Sequence, residues 1–181
     1  MPIKIPNPKK KRALIVVDVQ SSFADKNNPI VSAIEKVIRD GKYHAIIEAV
    51  FSTEGNPLWE KQTGWICEFK ETLAEIKNLI DKSPLKQYSK KNTKSAWKGT
   101  PDIYPFIKKN GIEEIHVIGY DANDCVMATA MESFDLGFQT YVIEEAVGSS
   151  NGENLRKEAI EILRNVDGTN HSELIEDFLI I

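Results

Sequence analysis

Three residues in this chain have the chemistry of a nucleophile, a proton carrier and a cation: Cys125, Asp18 and Lys91. Cys125 sits in IEEIHVIGYDANDCVMATAMESFDLG, residues 112–137, where an apolar strand runs into a short polar loop and a helix is predicted to start at the cysteine. The free backbone N–H groups of a first helical turn point toward such a sulfur, and the helix dipole favours the thiolate. A free thiol is mostly protonated at neutral pH and needs a base, a cation or a helix N-terminus to react. Asp18 follows the apolar run ALIVV and can take the thiol proton, then hand it to a leaving group. Lys91 supplies positive charge and would hold the aspartate ionised. The reaction these groups suit is thiolate attack on a carbonyl. Backbone N–H groups near residues 122–125 would stabilise the oxyanion, and water would then release the acyl group.

Plainer readings stand beside this one. A lone internal cysteine is often a small buried hydrophobe. Asp18 can cap a turn. Lys91 belongs to a run, Lys82, Lys86, Lys90, Lys91, Lys94 and Lys98, with no acidic residue between them, which reads as a solvated basic loop. Cys67 reads as structural. His116 falls inside a predicted strand, so a Cys-His dyad is the weaker pairing.

The elements that must bring these residues together are legible as periodicities. Residues 13–17 form a continuous apolar run, as in a buried parallel strand. Residues 30–40, IVSAIEKVIRD, place apolar side chains on one helical face, closed by Gly41. Strands are predicted at 44–51, 85–89, 114–119 and 138–143. Helices are predicted at 69–80, 101–109 with Pro101 in the first turn, 125–136 and 153–164. The tail ELIEDFLII reads as partly helical with an edge strand at its end. Alternating strands and helices give a three-layer α/β/α sandwich with a mostly parallel, Rossmann-like sheet of about six strands. In open sheets of this kind ligands bind beyond the carboxyl ends of the strands, where Asp18, Lys91 and Cys125 all fall.

The chain has 181 residues, enough for one domain. Its formal charge of −4 gives no reason to expect a nucleic-acid partner. The two cysteines make no disulfide framework, and no apolar stretch approaches the length of a membrane span. The basic start, MPIKIPNPKKKR, lacks an apolar core, so a cytoplasmic protein is expected.

Three segments resemble the isochorismatase-like cysteine hydrolases, which include nicotinamidases and related amidohydrolases. They are ALIVVDVQSSF (13–23), KNTKSAWKGT (91–100) and VIGYDANDCVMATAMESFDLGFQTYVIEEAV (117–147), in the family's order. The resemblance covers roughly residues 12–165 and implies one isochorismatase-like hydrolase domain over residues 1–181. It implies Asp18 as general acid and base, Lys91 as the triad lysine and Cys125 as the nucleophile. It implies a cis peptide before the cysteine, placed here at Asp121–Ala122, and an oxyanion hole from the N–H groups of Ala122 and Cys125. The usual Thr-Asp is Ala122-Asn123 here, and the usual Phe after Ser-Ala is Trp97. Nicotinamidases of this type carry metal-binding histidines after the second strand. FSTEGNPLWEKQTGW, residues 51–65, has none, so neither metal nor cofactor is expected. Phe23, Trp59, Trp65, Trp97 and Tyr120 are candidate walls for a small flat or apolar acyl group. A metal-independent amidohydrolase acting on a small amide or carbamoyl compound is expected, as a homo-oligomer. Two other readings stay open: a non-catalytic or isochorismatase-like member serving binding or assembly, and a thiol-based redox protein using Cys125.

Overall fold

A computed structural model describes residues 10–165 and 178–180. Six strands form one sheet in the order β3-β2-β1-β4-β5-β6, and each adjacent pair runs parallel. They are β1 (Arg12–Val17), β2 (Ala45–Phe51), β3 (Lys86–Lys91), β4 (Glu114–Gly119), β5 (Gln139–Val147) and β6 (Phe178–Ile180). The helices are α1 (Pro29–Asp40), α2 (Leu58–Thr63), α3 (Ala74–Ile80), α4 (Tyr104–Lys109), α5 (Met127–Asp135) and α6 (Glu153–Arg164).

The central strand shows why the sheet carries helices on both faces. Its side chains alternate: Ala13, Ile15 and Val17 join one buried cluster, Leu14 and Val16 the other. The first cluster is closed by Ile107 of α4, Ala130 of α5 and Ala159, Ile160 and Leu163 of α6. The second is closed by Val31, Ile34, Val37 and Ile38 of α1 with Ile76 and Ile80 of α3. A strand buried on both faces needs the continuous apolar run that residues 13–17 supply. Among the described residues, no helix is long and apolar enough to cross a membrane.

The strand order reverses between β1 and β4. Chain connections leave these two neighbours in opposite directions and open a crevice beyond their carboxyl ends. Gly119 closes β4 there with φ +117°, and a Cβ on it would stand 2.0 Å from the carbonyl oxygen of Val17. No larger residue lets the ends of β1 and β4 approach so closely.

Several boundaries differ from expectation. The 69–80 helix is shortened to Ala74–Ile80, because Thr72 bridges to Gln20 and the Leu73 N–H donates to Val19 O (2.8 Å). The 101–109 helix begins at Tyr104, with Pro105 in its first turn. Pro101 instead follows a cis bond from Thr100, and Asp102 Oδ1 accepts the Tyr104 N–H (2.8 Å). The 85–89 strand extends through Lys91, and the 138–143 strand through Val147. Residues 178–180 pair with β5 at the sheet edge, while the helical part expected for the tail lies outside the described residues.

Candidate active site

Asp18 is the first residue past β1, and its backbone has left the sheet. Its φ is +51°, left-handed backbone that aspartate tolerates better than most residues. Its N–H still donates to Ala49 O at 2.9 Å. The carboxylate is thereby turned across the end of β2 toward β3.

Lys91 is the last residue of β3, two strands away. Its ammonium crosses the ring of Phe51, the last residue of β2, at 4.8 Å from the centroid. It then donates to Asp18 Oδ2 at 2.7 Å. The lysine side chain is 0% exposed and the aspartate 1%. A second bond goes to Thr93 O at 3.3 Å. Lys91 is therefore not part of a solvated loop.

Four more lysines of the basic run are also paired. Lys86 meets Asp81 (3.3 Å), Lys90 meets Glu54 (2.6 Å), Lys98 meets Glu132 (2.7 Å) and Lys94 meets Asp124. These acids lie outside the 82–98 stretch, so the run's apparent excess of charge is local to the sequence.

Cys125 departs from the expected geometry. It is not the first residue of an α-helix. It lies in a π-helical turn over Ala122–Val126, and α5 begins at Met127. The thiol is buried and free. Burial pushes its pKa well up, the neighbouring Asp18 charge adds to that, and Lys91 opposes it. Burial and the Asp18 charge both favour the neutral thiol over a thiolate held by a helix dipole. Cys125 is close enough to both partners to bear on their pKa values. Asp18 Oδ1 nevertheless has no hydrogen bond of full geometry.

Burial raises the pKa of Asp18 against the pull of Lys91. For Lys91, burial works against the charge, but Asp18 and Cys125 outweigh it and hold the pKa up. The two shifts point opposite ways for the ion pair. A 2.7 Å contact between two buried groups is that of a charged pair, and the direction for Lys91 fits it.

The loop before the thiol is held by its own side chains. The cis peptide joins Tyr120 to Asp121, one residue earlier than expected. Asp121 accepts from the Ser150 N–H (2.6 Å) and Oγ (2.7 Å), and Asn123 Oδ1 accepts from Ser149 Oγ (2.8 Å). The expected oxyanion donor Ala122 is corrected here: its N–H donates to Gly148 O at 2.8 Å and is committed.

Two candidate wall residues belong to the core instead. Tyr120 is 1% exposed and packs among Leu14, Val16 and Ile118 on the α1 side. Trp97 is 5% exposed. Its ring stacks on Phe138 at 5.3 Å, and its Nε1 donates to Ser133 Oγ (2.8 Å) and Thr129 O (3.2 Å) of α5. A tryptophan whose N–H is satisfied inside the protein is packed, not poised for a ligand. Phe23, Trp59 and Trp65 do gather beside Lys91. Phe51 is the hub: Trp65 stacks on it (5.6 Å), Trp59 meets it edge-on (5.3 Å) and so does Phe23 (6.2 Å). Phe51 reads as one more apolar strand residue in the sequence, and only its terminal place on β2 marks it out. Beside this cluster a cleft of about 400 Å³ is lined by Thr53, Asn56, Ile66 and Cys67. A larger concavity, about 700 Å³, lies by Phe134, Phe138 and Gln139, away from the thiol.

The loop after β2 does not offer a metal site. Glu54 is exposed and paired with Lys90, and no histidine comes from residues 51–65. Among the described residues no group of three His, Cys, Asp or Glu side chains is placed to hold a metal.

Known proteins share this architecture. A pyrazinamidase/nicotinamidase from Streptococcus mutans matches with a TM-score of 0.71 at 18% identity, over 88% of this chain and 98% of that one. An N-carbamoylsarcosine amidase from Thermoplasma acidophilum matches with a TM-score of 0.63 at 20% identity, over 84% of this chain and 92% of that one. In sequence, the isochorismatase family protein YecD of Escherichia coli O157:H7 is 27% identical, over 80% of this chain and 83% of its own. Nicotinamidase 3 of Arabidopsis thaliana is 28% identical, over 80% of this chain and 76% of its own. The Isochorismatase domain family matches residues 12–171, and with most of its length inside that match the chain belongs to the isochorismatase family.

Proposed function

We infer that this protein hydrolyses a C–N bond in a small amide or carbamoyl compound through a thioacyl intermediate on Cys125. The observation that carries this reading is the buried Lys91–Asp18 pair beside a buried thiol, at the point where the strand order reverses. Relatives named as nicotinamidase and N-carbamoylsarcosine amidase support the substrate class.

Asp18 takes the proton from Cys125 as the sulfur attacks the carbonyl carbon. The C–N bond breaks, and Asp18 returns that proton to the departing amine. Water then attacks the thioester with Asp18 as base, and the acid leaves as the thiol reforms. Lys91 keeps Asp18 ionised and aimed, and its charge opposes the cost of a transient thiolate. With the Ala122 N–H committed, the Cys125 N–H is the oxyanion donor; losing one such donor typically costs about 3 kcal/mol in the barrier. The exposed ring of Trp65 and the half-buried rings of Phe23 and Trp59 offer a surface for a flat acyl group.

The test is a screen of small primary amides and carbamoyl compounds, with Cys125→Ala as control and mass spectrometry for a Cys125 adduct. Turnover that vanishes in Cys125→Ala, with a trapped acyl-enzyme, is expected. Full activity in Cys125→Ala ends the proposal. One observation favours a second reading, a non-catalytic member: Cys125 is only 7% exposed, and burial raises its pKa. That reading expects Cys125 to react with iodoacetamide no faster than a free thiol.

A further inference from the structure

Gln20 is completely buried, and its side-chain amide is used at both ends. Nε2 donates to the carbonyls of Phe51 (3.0 Å) and Lys70 (2.6 Å). Oε1 accepts the Phe51 N–H at 2.8 Å. A side chain that takes both the N–H and the C=O of one residue does what a neighbouring strand would do.

The need for it arises at Asp18. The β1–β2 register ends at Val17 opposite Ala49, and the left-handed backbone of Asp18 then carries the chain out of the sheet. β2 continues through Val50 and Phe51 with β3 on one edge only. Gln20 occupies the edge that β1 has left. On the other edge Phe51 stands in register with Lys91, and the Ser52 N–H donates to Lys91 O at 3.1 Å. The ring of Phe51 also lies beneath the Lys91 ammonium. One residue thus receives its position from Gln20 and passes it to Lys91 twice, through backbone and through ring.

We propose that Gln20 is a positioning residue, which sets the Lys91 ammonium against Asp18 and Cys125 by locking Phe51. The proposal rests on the reading of those three residues as the reacting centre. The Gln20 side chain touches none of the three side chains in the contacts described, and the bond from its backbone N–H to Asp18 O (2.8 Å) survives substitution, so the effect of the side chain runs through Phe51.

The test needs no substrate. The rate of Cys125 alkylation by iodoacetamide is measured against pH on the full chain, with peptide mass spectrometry separating Cys125 from Cys67. Wild type is compared with Gln20→Met, Gln20→Asn, Lys91→Met and Tyr43→Phe. Tyr43→Phe removes a hydrogen bond to His116 Nδ1 at 2.9 Å, far from the thiol, and controls for lost stability alone. In Gln20→Met the midpoint of the pH–rate curve moves up toward that of Lys91→Met; each unit of movement slows alkylation at neutral pH about tenfold. Gln20→Asn keeps an amide on a shorter arm and moves the midpoint part of the way. Tyr43→Phe melts earlier with the wild-type curve. If Gln20→Met melts earlier but keeps the wild-type curve, Gln20 only holds the fold and the inference fails. Should Gln20→Met not fold, the wild-type curve in Gln20→Asn overturns it instead. Failure of the underlying reading looks different: wild type and Lys91→Met then share one curve.

Discussion

Lys91→Met keeps an unbranched stem of similar length and deletes the charge. Asp18 is then left 1% exposed with no cation against it. Removing one partner of a buried pair typically costs about 3–5 kcal/mol, because the remaining charge has neither water nor a counter-ion. For a chain of this size that is a fall in Tm of roughly 6–20 °C. The cost must depend on pH, with a sign fixed by burial. The Asp18 carboxyl already has a raised pKa, and without Lys91 its largest opposing influence is gone. A carboxyl whose folded pKa exceeds its unfolded value favours the native state when protonated. The penalty is therefore full above the folded pKa and fades as pH falls through it. The gap between wild type and variant should narrow as pH falls from neutrality toward the ordinary carboxylate range, about 3.9. Asp18→Asn/Lys91→Met removes both charges and should recover most of the loss. Urea unfolding followed by tryptophan fluorescence measures all three proteins. A loss under about 1 kcal/mol that is flat with pH, or a double variant no more stable than the single, would refute a charged buried pair.

Other expectations follow from the same geometry. Trp97→Ala should cost about 3–5 kcal/mol, since it empties a core site. Trp65→Ala, at 40% exposure, should cost little stability but raise the KM of any amide found to turn over; equal stability losses in the two would return Trp97 to the surface. Burial, with help from Arg12, lowers the pKa of His116 against the pull of Glu114. The native histidine thus refuses a proton that the unfolded chain accepts near its ordinary pKa, about 6.5. Its stabilising share is present above that pH and is lost as pH falls through the window below it. Wild type should therefore lose Tm more steeply than His116→Gln between about pH 7 and about pH 5. Parallel melting curves would count against a neutral buried histidine.

The parts of this protein visible in its sequence are those where burial writes a pattern. ALIVV and the stripe along α1 carry their environment in their periodicity, and Asp18 and Cys125 could be placed at strand ends because the strands before them are so apolar. β3 is different. KQYSKK alternates between exposed and buried positions at the sheet edge, and its last lysine looks like its neighbours until Phe51 and Asp18 arrive from other strands. Gln20 sits unremarked inside the 13–23 segment, since its partners are backbone groups of residues 51 and 70. Trp97 and Tyr120 misled for the opposite reason. An aromatic next to a reactive segment looks like a pocket wall, and nothing local reveals that Ser133 binds one indole N–H or that Leu14 and Val16 enclose one phenol ring. The π-helical turn at Ala122–Val126 also escapes a local reading, because it differs from an α-helical start only in which carbonyl the Val126 N–H reaches, that of Asp121 at 3.0 Å.

The middle strand is made first and completed late. Residues 12–17 leave the ribosome well before residues 114–119, with which one of their edges pairs. Until those emerge, a run of aliphatic residues carries unpaired amides and carbonyls, the condition that invites association with other chains. Cys125 comes still later, so a truncated product can carry Asp18 and Lys91 without it. Growth at elevated temperature, or release of a shortened chain, should burden chaperones through this strand well before any question of catalysis arises.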